Sequence, residues 1–191
     1  SATYKRAQLI FHDIDRLIEI GHGKIQLVFS GKAHPKDQGG KKIIQEIVSK
    51  ANDISGSIKI IFLPNYNMWL GKLITSGVDL WLNTPLRPNE ASGTSGMKAT
   101  LNGVPNFSIL DGWWEEGCKN GINGWGIGDP NQSDDTIDAG HLYSVLENQI
   151  IPMYYDYREK WIRIMKQAIK TGVDFTAKRM ISEYKTKYYE V

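Results

Sequence analysis

Short, continuously apolar runs alternate along the chain with segments in which apolar positions recur every three or four residues. The apolar runs predict buried strands at residues 25–29, 58–63, 78–82 and 107–110. The periodic segments predict helices at residues 5–20, 68–74 and 95–101, and in the segment that follows a Gly39-Gly40 loop. Because helices separate successive buried strands, the order predicts an α/β fold with a doubly wound, mostly parallel sheet covered on both faces.

Residues 111–135 interrupt this alternation. The stretch is rich in glycine and tryptophan, so it is too irregular for a helix or strand and too aromatic for a free linker, and we expect an ordered loop. Three further helices are predicted at residues 136–151, 155–170 and 173–188. Parallel sheets bind ligands at the carboxyl ends of their strands. The loops expected to meet there begin at Ser30, Pro64, Thr84 and Asp111.

Composition and charge argue against several classes of function. The chain has 191 residues, which suits one domain, and its net charge is only +2, with basic residues dispersed along the sequence. We therefore expect neither nucleic acid nor a membrane as a partner. The one cysteine, Cys118, cannot form an internal disulfide, and no His or Cys residues have zinc spacing. These features predict a cytoplasmic protein without a metal site.

The segment from Glu90 to Lys98 contains the most informative chemistry. It is rich in small residues and leads into a predicted helix, so free backbone amides, with the hydroxyls of Thr94 and Ser95, could hold a phosphate group. The same residues would also serve as an ordinary helix cap. Lys98 lies four residues after Thr94 on the same helix face. Its amine could bind an aldehyde cofactor if desolvated, or could be a solvated surface lysine.

This segment resembles the cofactor-binding sequence of the α-glucan phosphorylases, the glycogen, starch and maltodextrin phosphorylases. The family pattern is Glu-Ala-Ser-Gly-Thr-Gly-Asn-Met-Lys, and the chain departs from it only at Ser95 and Gly96. The Ser-Gly version is similar to the shorter bacterial and archaeal members. Further matches lie at residues 4–6, 60–66, 101–103 and 110–112. The resemblance thus extends over most of the chain and is most specific at residues 90–98.

The resemblance implies a fold and a domain organisation. Family enzymes consist of two Rossmann-like domains that face each other across the active site, the glycosyltransferase fold called GT-B. Residues 1–191 would be the C-terminal, cofactor-binding domain with its terminal helices. The N-terminal catalytic half would be absent, so we expect the domain to be inactive alone.

The resemblance also implies a cofactor, pyridoxal 5'-phosphate, and the residues that hold it. Lys98 would carry the cofactor on its amine. Thr94 and Ser95, with the amide of Gly96, would hold the cofactor phosphate. Tyr66 would pack near the cofactor.

The implied reaction is reversible phosphorolysis of an α-1,4-glucan by inorganic phosphate, which yields glucose 1-phosphate. Glu90, Ser92 and Gly93 would contact hydroxyl groups of the glucosyl unit, and Lys5 would neutralise the substrate phosphate. Lys98, Lys5 and Glu90 are therefore the expected catalytic residues. The expected partners are the glucan, the two phosphate compounds and the N-terminal domain, with a homodimer possible in the full-length enzyme.

Two other readings remain open. Nucleotide-sugar glycosyltransferases such as glycogen or starch synthases resemble this fold, but they have a second glutamate where this chain has Lys98, and a carboxylate there suits ribose hydroxyls. A non-catalytic α/β binding module is the other alternative. Trp113 and Trp114 fit either a platform for carbohydrate or a plug packed on the sheet.

Overall fold

The computed structural model describes residues 3–129 and 132–189. Its strands are β1 (Gln26–Ser30), β2 (Lys59–Leu63), β3 (Trp81–Asn83), β4 (Asn106–Ile109) and β5 (Gly124–Ile127). Its α-helices are α1 (Ile14–Gly21), α2 (Gln38–Asp53), α3 (Met68–Gly77), α4 (Thr94–Leu101), α5 (Trp113–Gly117), α6 (Asp135–Val145), α7 (Ile151–Asp156), α8 (Arg158–Asp174) and α9 (Ala177–Tyr184). Two 3₁₀ turns, Thr3–Lys5 and Leu9–Phe11, precede α1, and π-helical turns at Leu146–Ile150 and Lys185–Tyr189 follow α6 and α9. No helix in these ranges is long and apolar enough to cross a membrane.

The strands are parallel, as predicted, but they form two sheets. β1 pairs with β2, from Gln26 opposite Lys59 to Ser30 opposite Leu63. β4 lies between β3 and β5 in the second sheet. The predicted α/β class with parallel strands is confirmed, but the prediction that these strands form a single sheet is wrong for the described residues. A cavity of about 650 Å³ is lined by residues of both β1 and β3, and these two strands do not pair across it.

The prediction of a loop over residues 111–135 is also wrong, because α5 and β5 lie within its described part; residues 130 and 131 of this range lie outside the described residues. β5 is buried along its whole length, with Trp125 and Ile127 both 0% exposed. Two of its four residues are glycines, which are uncommon inside strands. Gly124 is required by close packing: a Cβ there would lie 2.7 Å from the Trp114 ring and would also meet the backbone of β4 at Asn106.

The N-terminal segment differs from the predicted helix over residues 5–20. Arg6 has a positive φ of 41°, which breaks a regular helix, so α1 begins only at Ile14. The Asp13 carboxylate caps α1 by accepting a hydrogen bond from the Arg16 amide at 2.9 Å. In α2, Asp37 caps the helix in the same way, and the Gly39-Gly40 pair lies inside the helix instead of in a loop.

α4 packs against several neighbouring helices and strands. Trp125 of β5 stacks on Trp161 of α8, with ring centroids 5.9 Å apart. Along the same helix, Gly172 lets α8 approach α4 so closely that a Cβ there would lie 3.0 Å from the Leu101 side chain. α4 also contacts α3, β3 and β4. The segment that the sequence singled out is thus held by both helices and strands.

Replacement of Gly124 by alanine should destabilise the protein by about 2 kcal/mol, because the new methyl group must displace Trp114 or the β4 backbone. Gly77→Ala is the matched control: nothing lies within 4 Å of a Cβ at that helical position, so its stability should not fall. Urea denaturation of both variants measures the two free energies of unfolding. Equal stability of both variants would contradict the close packing of β5 on β4.

Candidate functional site

The start of α4 presents a set of free hydrogen-bond donors. Gly93 precedes the helix in the left-handed conformation, with φ 89° and ψ 43°, and no side chain caps the helix. The Gly96 amide donates to the Gly93 carbonyl oxygen at 3.1 Å. The amides and hydroxyls of Thr94 and Ser95 have no hydrogen bond within the described ranges. These donors, together with the positive end of the helix dipole, can hold an anion.

Gly96 fixes the start of α4 against the second sheet. It is buried, and a Cβ there would lie 2.5 Å from Asn106 Oδ1 and 2.9 Å from Trp113 Nε1. The Asn106 amide nitrogen donates to the Gly96 carbonyl oxygen at 3.1 Å and also to the Thr100 hydroxyl. The helix can approach β4 this closely only because residue 96 has no side chain.

Lys98 is exposed one turn further along α4, beyond Thr94. Its neighbours Ala99 and Thr100 are fully buried, so the backbone that carries the lysine is held in place. Within residues 3–129 and 132–189, the Lys98 amine has no ion pair. The Lys98 side chain is therefore accessible from solvent.

Lys5 and Glu90 form an ion pair between the N-terminal segment and the loop before α4. The Glu90 side chain is only 5% exposed, whereas the Lys5 side chain is 32% exposed. A carboxylate that is nearly buried requires a cation or several hydrogen-bond donors. The pair therefore places one positive and one negative group beside the loop that leads into α4.

The sequence analysis missed Arg6, whose buried guanidinium organises this side of the site. It donates to Asp138 Oδ2 at 2.7 Å and to Asp135 Oδ1 at 2.6 Å on α6. It also donates to the carbonyl oxygens of Thr84 at 3.1 Å and Pro85 at 2.9 Å. Arg6 belongs to a motif noted in the sequence, but nothing in the sequence indicated that this side chain is directed inward.

The Thr84 hydroxyl completes the attachment of the N-terminal segment. It lies 3.1 Å from the Lys5 carbonyl oxygen and 3.0 Å from the Arg6 carbonyl oxygen, so its single O–H is shared between these two acceptors. The backbone of Lys5 is thus tied to the carboxyl end of β3. This attachment holds the Lys5 side chain where it can reach Glu90.

Other candidate residues occupy less defined positions. Ser92 is exposed, and its carbonyl oxygen accepts a hydrogen bond from the Trp113 amide at 2.9 Å. Tyr66 is 42% exposed and lies with Lys5 on the lining of the cavity between the sheets. Its hydroxyl packs against Gly71, where a Cβ would lie 2.7 Å away. Among the described residues, the lining of this cavity includes none from α4.

The structure decides between the two readings of the tryptophan pair. Trp113 is 5% exposed and Trp114 is 1% exposed, and the Trp114 indole donates to the Trp125 carbonyl oxygen at 3.1 Å. They are a plug, not a platform for carbohydrate. Among residues 3–129 and 132–189, no three His, Cys, Asp or Glu side chains form a group that could hold a metal ion.

Comparison with known proteins points to one family. Residues 3–116 match the family model described as carbohydrate phosphorylase. The chain is 46% identical to maltodextrin phosphorylase of Thermococcus litoralis, over 98% of this chain and 24% of that protein. It is 48% identical to glycogen phosphorylase of Aquifex aeolicus, over 97% of this chain and 28% of that protein. The chain therefore spans about a quarter of the length of the curated relatives that it matches.

Removal of the Arg6 cation should destabilise the folded protein. Arg6→Met leaves the Asp138 carboxylate, 1% exposed, without its cation, so the free energy of unfolding should fall by about 3–5 kcal/mol. Arg16→Met removes pairs with Glu19 and Glu147 at the surface and should have a much smaller effect. Urea denaturation of both variants tests the difference. Similar losses would show that the buried network does not stabilise the fold.

Cys118 should be a poor nucleophile in the folded protein. Burial raises the pKa of its thiol to about 12, so at pH 8 almost no thiolate is present. We expect alkylation by iodoacetamide at pH 8 to be at least about 100-fold slower in the native protein than in urea. A comparable native rate would mean that the thiol is accessible and ionised.

Proposed function

The chain belongs to the carbohydrate phosphorylase family, and from that premise we propose that it is the cofactor-binding part of an α-glucan phosphorylase. In this proposal it forms the C-terminal, Rossmann-like domain of a two-domain GT-B enzyme. The enzyme would transfer the terminal α-1,4-linked glucose of a glucan to inorganic phosphate and release glucose 1-phosphate. The N-terminal half of such an enzyme would complete the cleft, so in this proposal residues 1–191 by themselves bind ligands without turnover. The cytoplasmic location and a possible homodimer remain predictions.

The observation that carries the proposal is the arrangement at the start of α4. Free donors on Thr94 and Ser95 lie one helical turn before the exposed amine of Lys98. A small molecule that has both a phosphate group and an aldehyde needs an anion site and, about one helical turn away, a lysine amine. Pyridoxal 5'-phosphate has both groups. In the nucleotide-sugar alternative a carboxylate would stand in place of Lys98, so the lysine favours the phosphorylase.

The residues present fit the phosphate of this cofactor. The left-handed Gly93 leaves the first amides of α4 without acceptors, and the hydroxyls of Thr94 and Ser95 add donors. These groups would hold the cofactor phosphate together with the amide of Gly96, which in this structure donates to the Gly93 carbonyl oxygen and would have to share or exchange that partner, and Lys98 would bind the aldehyde. Tyr66 would contact the cofactor from the mouth of the inter-sheet cavity. When bound, the cofactor supplies a phosphate group that exchanges a proton or charge with inorganic phosphate.

Lys5 and Glu90 would each bind one of the two substrates. The Lys5 ammonium group suits the substrate phosphate, and the Glu90 carboxylate, with Ser92 and Gly93, suits hydroxyl groups of the glucosyl unit. In the structure the two side chains neutralise each other. When both substrates bind, the phosphate can pair with Lys5 and the sugar hydroxyls can pair with Glu90. Each charged side chain then exchanges its ion-pair partner for a substrate. Exclusion of water from the completed cleft would strengthen these contacts as the glycosidic bond breaks.

Covalent labelling tests the proposal. The protein is incubated with pyridoxal 5'-phosphate and reduced with borohydride, which makes a link between a lysine amine and an aldehyde permanent. Peptide mass spectrometry should then find one dominant adduct on Lys98. Inorganic phosphate should compete with this labelling, because both anions would need the donors at the start of α4.

The control is a second exposed lysine on a neighbouring helix. Lys98→Ala should abolish the adduct, whereas Lys72→Ala on α3 should retain it at the wild-type level. Labelling that is scattered over many lysines and unchanged in Lys98→Ala would refute the assignment of the cofactor site.

A further inference from the structure

Asp111 is a buried carboxylate whose partners are backbone amides. It lies just beyond the end of β4 and is 7% exposed. Its Oδ2 accepts a hydrogen bond from the Glu90 amide at 2.9 Å, and its Oδ1 accepts one from the Gly112 amide at 2.9 Å. Within the described segments no cation pairs with it.

A charged group at this position needs a reason, because burial of a carboxylate without a cation is unfavourable. Two hydrogen bonds from amides to a charged acceptor offset part of that cost. An asparagine of the same shape could accept only one of them with its oxygen, since its NH₂ group would face the second amide. Asp111 therefore accepts a hydrogen bond from each of the two amides, which an asparagine at this position cannot do.

The two residues after Asp111 hold the same loop. Gly112 has φ 57°, and a Cβ there would lie 2.8 Å from the Glu90 carbonyl oxygen and 2.7 Å from the Ser92 carbonyl oxygen. The Trp113 amide donates to the Ser92 carbonyl oxygen at 2.9 Å. Hydrogen bonds from Glu90 to Asp111 and from Trp113 to Ser92 thus fix the backbone of residues 90–92 to the end of β4, and the absence of a side chain at Gly112 permits this close approach.

We infer that Asp111 is a positioning residue: it fixes the Glu90 backbone so that the Glu90 carboxylate lies against Lys5. The opposite partner is fixed independently, because Thr84 holds the Lys5 backbone at the end of β3. The neighbouring parallel strands β3 and β4 therefore support Lys5 and Glu90, respectively, which form one ion pair. The importance of Asp111 for sugar binding rests on the proposed function, whereas its effect on the position of Glu90 can be measured without it.

Asp111→Asn is the test variant, and Asp53→Asn, at an exposed aspartate that ends α2, is the matched control. Hydrogen exchange by NMR should show at least tenfold faster exchange of the Glu90 amide in Asp111→Asn, with protection of β4 and α4 retained. The NMR signal of the Lys5 ammonium group should move to the position of the exposed lysines. Binding of maltotetraose, followed by chemical-shift changes, should weaken at least tenfold, while borohydride labelling of Lys98 persists.

These readouts separate the two hypotheses. An unchanged Lys5 signal in Asp111→Asn would overturn the positioning role, even if cofactor labelling succeeds. If the wild-type protein binds no maltotetraose, the assignment of Glu90 to sugar is contradicted, whereas loss of the ion pair in Asp111→Asn still supports the positioning role. A uniform rise in exchange over the whole fold would indicate a structural role alone and would also overturn the inference.

The wild-type protein supplies a measurement that does not depend on the folding of any variant. The Glu90 and Gly112 amides should both exchange slowly with solvent, because each donates to a carboxylate oxygen of Asp111. Exchange of the Glu90 amide as fast as that of exposed loop amides would refute the anchor.

Discussion

The buried guanidinium of Arg6 is the interaction on which the arrangement of the site depends. It joins the N-terminal segment to the end of β3 and to α6 through hydrogen bonds to two carbonyl oxygens and two carboxylates. A buried cation is stabilising only when its donors are matched, and four of the five donors of Arg6 have partners in this network. The positive φ of Arg6 belongs to the same constraint, because it turns the chain so that the side chains of Arg6 and Lys5 contact different segments of the protein.

The remaining parts of the site depend on close approach between backbone segments. Gly93, Gly96 and Gly112 each lie where a side chain would collide with Trp113, Asn106 or the carbonyl oxygens of residues 90 and 92. Strand ends supply the rigid supports: β3 carries the attachment of Lys5, and β4 carries the attachment of Glu90 and the start of α4. In the proposed function, donors whose backbone is fixed in this way would need little reorganisation when a phosphate group binds at the start of α4.

Much of the local structure could be predicted from the pattern of residues. The predicted helix at 95–101 begins one residue later than α4, and the strands at 25–29 and 58–63 correspond closely to β1 and β2. The sequence pattern did not predict β5, because two of its residues are glycines, which have a low propensity for strands. Close contact with β4, which no local pattern shows, is the reason for glycine at position 124. The resemblance of residues 90–98 to the α-glucan phosphorylases is confirmed at the level of the family by the comparisons. The roles of individual residues remain proposals.

The sequence by itself determined the parallel α/β character, the family and the small-residue segment before Lys98, because these depend on local pattern and on residue identity at fixed spacing. Only the tertiary structure decided that Lys5 meets Glu90, that Arg6 and Asp111 hold these two residues, and that β1 and β3 line a cavity without pairing. Those features join residues that are between 21 and 132 positions apart in the chain. Contacts at such separations arise from how strands and helices pack, which no local pattern encodes.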